Sequence, residues 1–143
     1  MTESKATMAA RLGLGLIFTV FGLNGFFGFL PMPSLGGDAG AFMGALAATG
    51  YMFPLIKGTE VVAGLLLLSG RLPAFALLLL APVVVNIVLF HLVLAPAGLA
   101  LPLLVVGLEA YLGYRYFSAF RVVFQTSPVR RTTTTRAALA HHG

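Results

Sequence analysis

The chain has 143 residues, of which 59% are hydrophobic and only 9% charged, and its mean hydropathy is +0.98. A soluble domain carries about 25% charged residues, so the 9 Lys and Arg and 4 Asp and Glu present cannot furnish a water-facing surface, which excludes a separate soluble domain. The absence of cysteine excludes disulfides and thiolate metal or redox chemistry. The net charge of +5 does not point to nucleic acid, because the basic residues gather at the chain ends and in one short loop, where membrane topology places them.

This composition predicts an all-α membrane protein, an antiparallel four-transmembrane-helix bundle with a short interfacial or re-entrant helix between helices 1 and 2. Residues 1–11 read as a polar cytoplasmic leader holding Lys5 and Arg11, and residues 12–124 as the transmembrane domain. The first span, 12–30, is an uncharged run of 19 residues that reaches ~28 Å as a helix, close to the ~30 Å hydrocarbon thickness. It is too long for a signal peptide and is followed by further spans. Gly22, Gly25 and Gly28 would let a neighbouring helix approach closely, with Asn24 among them.

Pro31 and Pro33 end that helix. In the connection that follows, Gly36, Gly40, Gly44 and Ala48 recur every four residues, a spacing that predicts a short interfacial or re-entrant helix over 39–49. The second span, about 53–69, starts at Phe53-Pro54 and stops at Gly70-Arg71; the third, about 72–95, holds Pro82, Asn86 and His91. After the uncharged turn 95–100, the fourth span, about 101–118, carries Glu109, Tyr111, Tyr114, Arg115 and Tyr116. Residues 125–143 hold Arg130, Arg131, four consecutive threonines and Arg136, and predict a disordered basic cytoplasmic tail. His141 and His142 there read as incidental, and no metal site is expected.

Lysine and arginine fix the expected orientation. Lys5, Arg11, Arg71, Arg115, Arg121 and the tail arginines share one side, whereas the loops 31–53 and 95–100 contain neither residue. The positive-inside rule then places both termini in the cytoplasm. Depths measured from the outer helix ends become ~3 Å for Lys57, ~6 Å for His91, ~8 Å for Glu60, ~9 Å for Asn24, ~12 Å for Glu109 and ~14 Å for Asn86. All six fall in the outer half, where a bundle could gather them around one cavity, and the inner half shows no such set. Charge at these depths costs ~2.5–3.5 kcal/mol per side chain on insertion scales, so inward-facing, mutually partnered groups are expected. Lys57, Glu60 and Gly64 share one helical stripe. The competing reading is structural: Lys57 snorkels to the surface, Asn24 and Asn86 are interhelical glue, and His91 donates to a backbone carbonyl.

The pattern Glu60-x-x-x-Gly64-Leu-Leu-Leu-Leu-Ser-Gly70-Arg71, with a Gly-rich first helix and a His near the end of the third, resembles the DoxX-like family over about residues 11–118. The resemblance implies a four-helix protein of the bacterial inner (plasma) membrane. The family is named for a subunit of a thiosulfate:quinone oxidoreductase and is related to small bundles that include sterol isomerases. The expectation built on it is an outer-half polar pocket for a small lipophilic molecule, a quinone or lipid, in a subunit associated with an oxidoreductase. Glu60 and His91 would handle protons, because a quinone carbonyl needs a donor on reduction and His titrates near neutral pH. Asn24, Lys57, Asn86 and Glu109 would complete the ligand-binding set. Expected partners are the lipid bilayer, membrane oxidoreductase subunits and further copies of the chain. The alternatives are a non-catalytic assembly or accessory subunit and, less favoured for want of a polar path through the inner half, a proton-coupled transporter.

Overall fold

The structure is a computed structural model and describes residues 3–123; the tail expected over 125–143 lies outside the described residues. The regular structure among the described residues is entirely helical, with no β-strand. Helix α1, Lys5–Phe27, begins well before the uncharged run at Leu12, because Ser4 caps it: the Ser4 hydroxyl accepts from the Thr7 backbone N–H at 3.2 Å. Residues 5–11 of the expected polar leader are therefore the first turns of α1, and Arg11 is buried within the fold. At the other end Gly28 adopts a left-handed conformation (φ 61°) and its N–H returns to the Asn24 carbonyl at 2.8 Å.

The short helix expected between the first two spans is present as α2, Gly37–Ala48. Thr49 links it onward: its hydroxyl donates to the Leu46 carbonyl at 2.7 Å and accepts from the Met52 N–H at 3.1 Å, at the start of α3, Met52–Ser69. A tight turn through Gly70 (φ 69°) and Leu72 (φ 51°) leads into α4, Pro73–Val93. Proline disfavours the right-handed helical region for the residue before it, and Leu72 occupies the left-handed one, at a cost of order 1 kcal/mol. A 3-10 turn, Pro96–Gly98, precedes α5, Ala100–Arg115. The fourth expected span, 101–118, is interrupted at Tyr116, after which α6, Phe117–Val123, follows.

Among the described residues three helices, α1, α3 and α4, are long and apolar enough to cross a membrane. Side chains from α1 (Leu14, Phe18), α3 (Ala63, Leu67), α4 (Leu77, Leu80, Val84) and α5 (Val105, Leu112) meet in one buried cluster. The outer faces are apolar as well: Leu16, Leu65, Phe75, Leu89 and Leu103 are all at least half exposed. Surfaces of this kind mark a protein whose solvent is lipid. Helix α1 packs most extensively on α3 and runs antiparallel to it, Arg11 meeting the last turn of α3 and Gly25 meeting Lys57 near its start.

Candidate functional site

The α1–α3 seam is built on small residues. A Cβ added to Gly64 would sit 2.7 Å from the Thr19 backbone nitrogen and 2.9 Å from the Gly15 carbonyl oxygen, so only hydrogen fits between these backbones. Gly22 is closed in likewise by Val61 and Glu60. Gly28, grouped with the packing glycines in the sequence reading, instead caps α1 and faces open space. Close backbone approach is the means by which membrane helices gain attraction, since apolar side chains there gain nothing from leaving lipid.

Lys57 and Glu60 lie at the upper end of this seam. The Lys57 Nζ donates to both Glu60 carboxylate oxygens, at 2.9 and 3.1 Å, and its alkyl stem lies over Gly25, where a Cβ would come within 2.5 Å of it. The Phe53 ring stands 5.8 Å from the ammonium, within reach of a weak cation–π attraction. Glu60 is 2% exposed. One turn of helix thus brings the two charges together, and each offsets part of the other's cost of lying away from water.

The other members of the expected outer cluster bond elsewhere. Asn24, beside Gly25, accepts from the Leu30 N–H at 2.6 Å and so ties the chain after α1 back to its last turn. Asn86 is exposed, and its amide donates to the Pro82 carbonyl of its own helix at 2.9 Å. His91 Nδ1 donates to the Ile87 carbonyl at 2.8 Å, and its ring packs edge-on against Phe90 and beside Gly98. Glu109 is half-buried on α5, and its Oε2 has no hydrogen-bond partner among the described residues. Of the six residues, only Lys57 and Glu60 are joined directly; no hydrogen bond connects Glu60 to His91 among the described residues.

A polar network that the sequence reading did not foresee occupies the opposite end, where no matching set was expected. Glu3 receives a fork from Arg11, Nε to Oε1 at 3.0 Å and Nη2 to Oε2 at 3.1 Å. The Tyr116 hydroxyl donates to Glu3 Oε1 at 2.5 Å. The remaining Arg11 nitrogen donates to the Leu67 carbonyl in the last turn of α3, which also accepts from the Gly70 N–H at 3.2 Å, and so places a cation at the negative end of that helix. Nearby, Arg115 Nε donates to the Thr7 hydroxyl at 3.1 Å, and Thr7 shares a hydrogen bond of 2.7 Å with Ser4. The carboxyl of Glu3 is held below its ordinary value of 4.5, first by the Arg11 hydrogen bonds and then by the one from Tyr116. These groups line a cleft of about 360 Å³. The signal for it in the sequence is Arg11, a charge at the head of an apolar run, which topology alone had accounted for. Searches among known proteins match this chain to no family model, no curated protein and no solved structure.

Proposed function

We propose that this protein is a non-catalytic assembly or accessory subunit of a membrane complex, in which polar side chains fix the packing of helices. On this reading α5 is the fourth crossing and both ends face the cytoplasm of a bacterial inner membrane. With 16 residues, α5 reaches ~24 Å, and local thinning or the continuation into α6 makes up the shortfall against ~30 Å. The observation that carries the reading is the Lys57–Glu60 pair on the glycine seam, with Glu60 buried and Lys57 half-buried. The bond of His91 within its own helix supports it further, since Glu60 and His91, the expected proton-handling pair, then share no hydrogen bond among the described residues. The test is Glu60→Gln: it lowers the melting temperature in detergent, while added short-chain quinones leave that of the wild type unmoved. A quinone-dependent rise in the wild-type melting temperature would sink the reading.

One observation favours the lipophilic-ligand reading suggested by the DoxX-like resemblance. An apolar groove of about 340 Å³ runs along α3 beside α4, lined by Pro54, Leu55, Gly58, Thr59, Val62 and Leu79, a size suited to a prenyl or acyl chain. Thr59 is the polar side chain among its lining; Glu109, with its buried unpartnered oxygen, lies on α5 and does not line the groove. Mass spectrometry of small molecules retained by gently purified protein decides between the readings, since only this one expects a stoichiometric quinone or lipid.

A further inference from the structure

The cleft at the N-terminal end of α1 is not absorbed by either reading above. Its walls come from parts of the chain far apart in sequence: Ser4 and Thr7 from the start of α1, Gly70 and Pro73 from the α3–α4 turn, and Arg115 and Tyr116 from the end of α5. Its charges are unequal. The Glu3 carboxylate is neutralised by the two-pronged Arg11 contact and capped by Tyr116. Arg115 has no carboxylate partner among the described residues; only its Nε is used, on Thr7, and its two terminal nitrogens have no acceptor there. One positive charge is therefore left over, carried by a planar fork suited to phosphate oxygens.

The surroundings define the source of that phosphate. Leu72, beside Pro73 in the chain, is 66% exposed, and Tyr114 and Phe117, on either side of Arg115 and Tyr116, are 79% and 59% exposed. A group held here would have a cation and a hydroxyl on one side and apolar, lipid-facing side chains on the other. We propose that the cleft binds the phosphate of an anionic phospholipid, with the free edge of Arg115 and the exposed hydroxyl of Ser4 as its ligands and the acyl chains on the adjoining apolar surface; Thr7, buried and bonded to Ser4 and Arg115, positions that edge. Arg11 is buried and fully engaged with Glu3 and the end of α3, so it shapes the cleft and does not itself hold the lipid. Basic pockets between helices at a membrane surface hold lipid headgroups by this chemistry.

The full chain, purified in dodecyl maltoside, is titrated with phosphatidylglycerol, phosphatidylcholine or inorganic phosphate and read by native mass spectrometry. Phosphatidylglycerol is expected to be retained in preference to phosphatidylcholine, with inorganic phosphate failing to displace it. The Arg115→Gln variant should lose about tenfold in phosphatidylglycerol retention, the loss expected for a charge-assisted hydrogen-bonded fork. Arg71→Gln, at the same end but outside the cleft, should lose no more than about fivefold, the contribution of a general surface charge. Equal losses in the two variants, or undiminished retention in Arg115→Gln, overturn the proposal. Displacement by inorganic phosphate overturns the lipid as its source. Should Arg115→Gln not give a monodisperse helical protein, Arg115→Lys carries the test with an expected loss of about threefold, and unchanged retention then overturns the proposal.

Discussion

Gly64→Ala tests the reasoning about the α1–α3 seam most directly. The added methyl would lie 2.7 Å from the Thr19 nitrogen and 2.9 Å from the Gly15 carbonyl oxygen, whereas ordinary contact begins at 3.4 Å. Both are backbone atoms, and no rotamer change moves them. Relief therefore requires the helices to separate by about 0.5–0.7 Å, which loosens the packing of Leu14, Phe18, Ala63 and Leu67 beside the seam. Overpacking of this kind costs about 1–3 kcal/mol, against which the better helix propensity of alanine returns roughly 0.8–1 kcal/mol. A net loss of about 1 kcal/mol, within a span of roughly 0–2 kcal/mol, is expected, measured as thermal or denaturant unfolding in detergent by circular dichroism. Gly13→Ala and Gly107→Ala, where a methyl meets nothing within 4 Å, should be neutral or slightly stabilising. Gly25→Ala should fall between, because the atoms within 2.5 Å belong to the flexible Lys57 stem. If Gly64→Ala is as stable as Gly13→Ala, the close seam is not what holds these helices together.

Breaking the buried ion pair should cost more than removing it. Lys57→Met leaves Glu60 buried without its partner and should lose about 2–3 kcal/mol, less than for a fully buried pair because the Lys57 side chain keeps 20% exposure; the double variant Lys57→Met/Glu60→Gln should recover most of that in a double-mutant cycle. Acid should loosen the N-terminal end: the Glu3 carboxyl titrates below its ordinary value of 4.5 when folded, so its contribution is present above that value and is lost as pH falls through the lower folded value. Glu3→Gln should remove that part of the pH dependence of the melting temperature. Asn24→Ala should cost about 1 kcal/mol through loss of the bond to Leu30, whereas Asn86→Leu, on an exposed face, should be within about 0.5 kcal/mol of wild type in the same unfolding assay.

Local signals in the chain proved informative where the interaction itself is local. Lys57 and Glu60, three residues apart, share a helical face whatever surrounds them, and the structure pairs them. Gly70-Arg71 followed by Pro73 marks a hairpin between two apolar helices, and the small-residue repeat from Gly36 to Ala48 marks α2. The depth argument for one outer cluster fared differently. Depth along a helix follows from counting residues, but the direction a side chain faces does not. The faces of α4 that meet protein and those that meet lipid are equally apolar, with Leu80 and Val84 buried and Leu78 and Val85 exposed. No periodicity in the sequence could therefore show that Asn86 faces outward.

What the sequence alone determined is the class of molecule: helices apolar enough for lipid, their breaks at Gly and Pro, and the charge pair within one turn of α3, all of which follow from composition and spacing. The tertiary structure decided which glycines touch another backbone, and that Gly15 and Gly64 belong to the seam while Gly28 does not. It also decided that Arg11 is a buried tether between Glu3 and the end of α3, and that Tyr116 closes the same network from 113 residues away. Such bonds depend on how far each helix is rotated about its axis and how closely it approaches its neighbour, and these quantities are set by packing across the bundle.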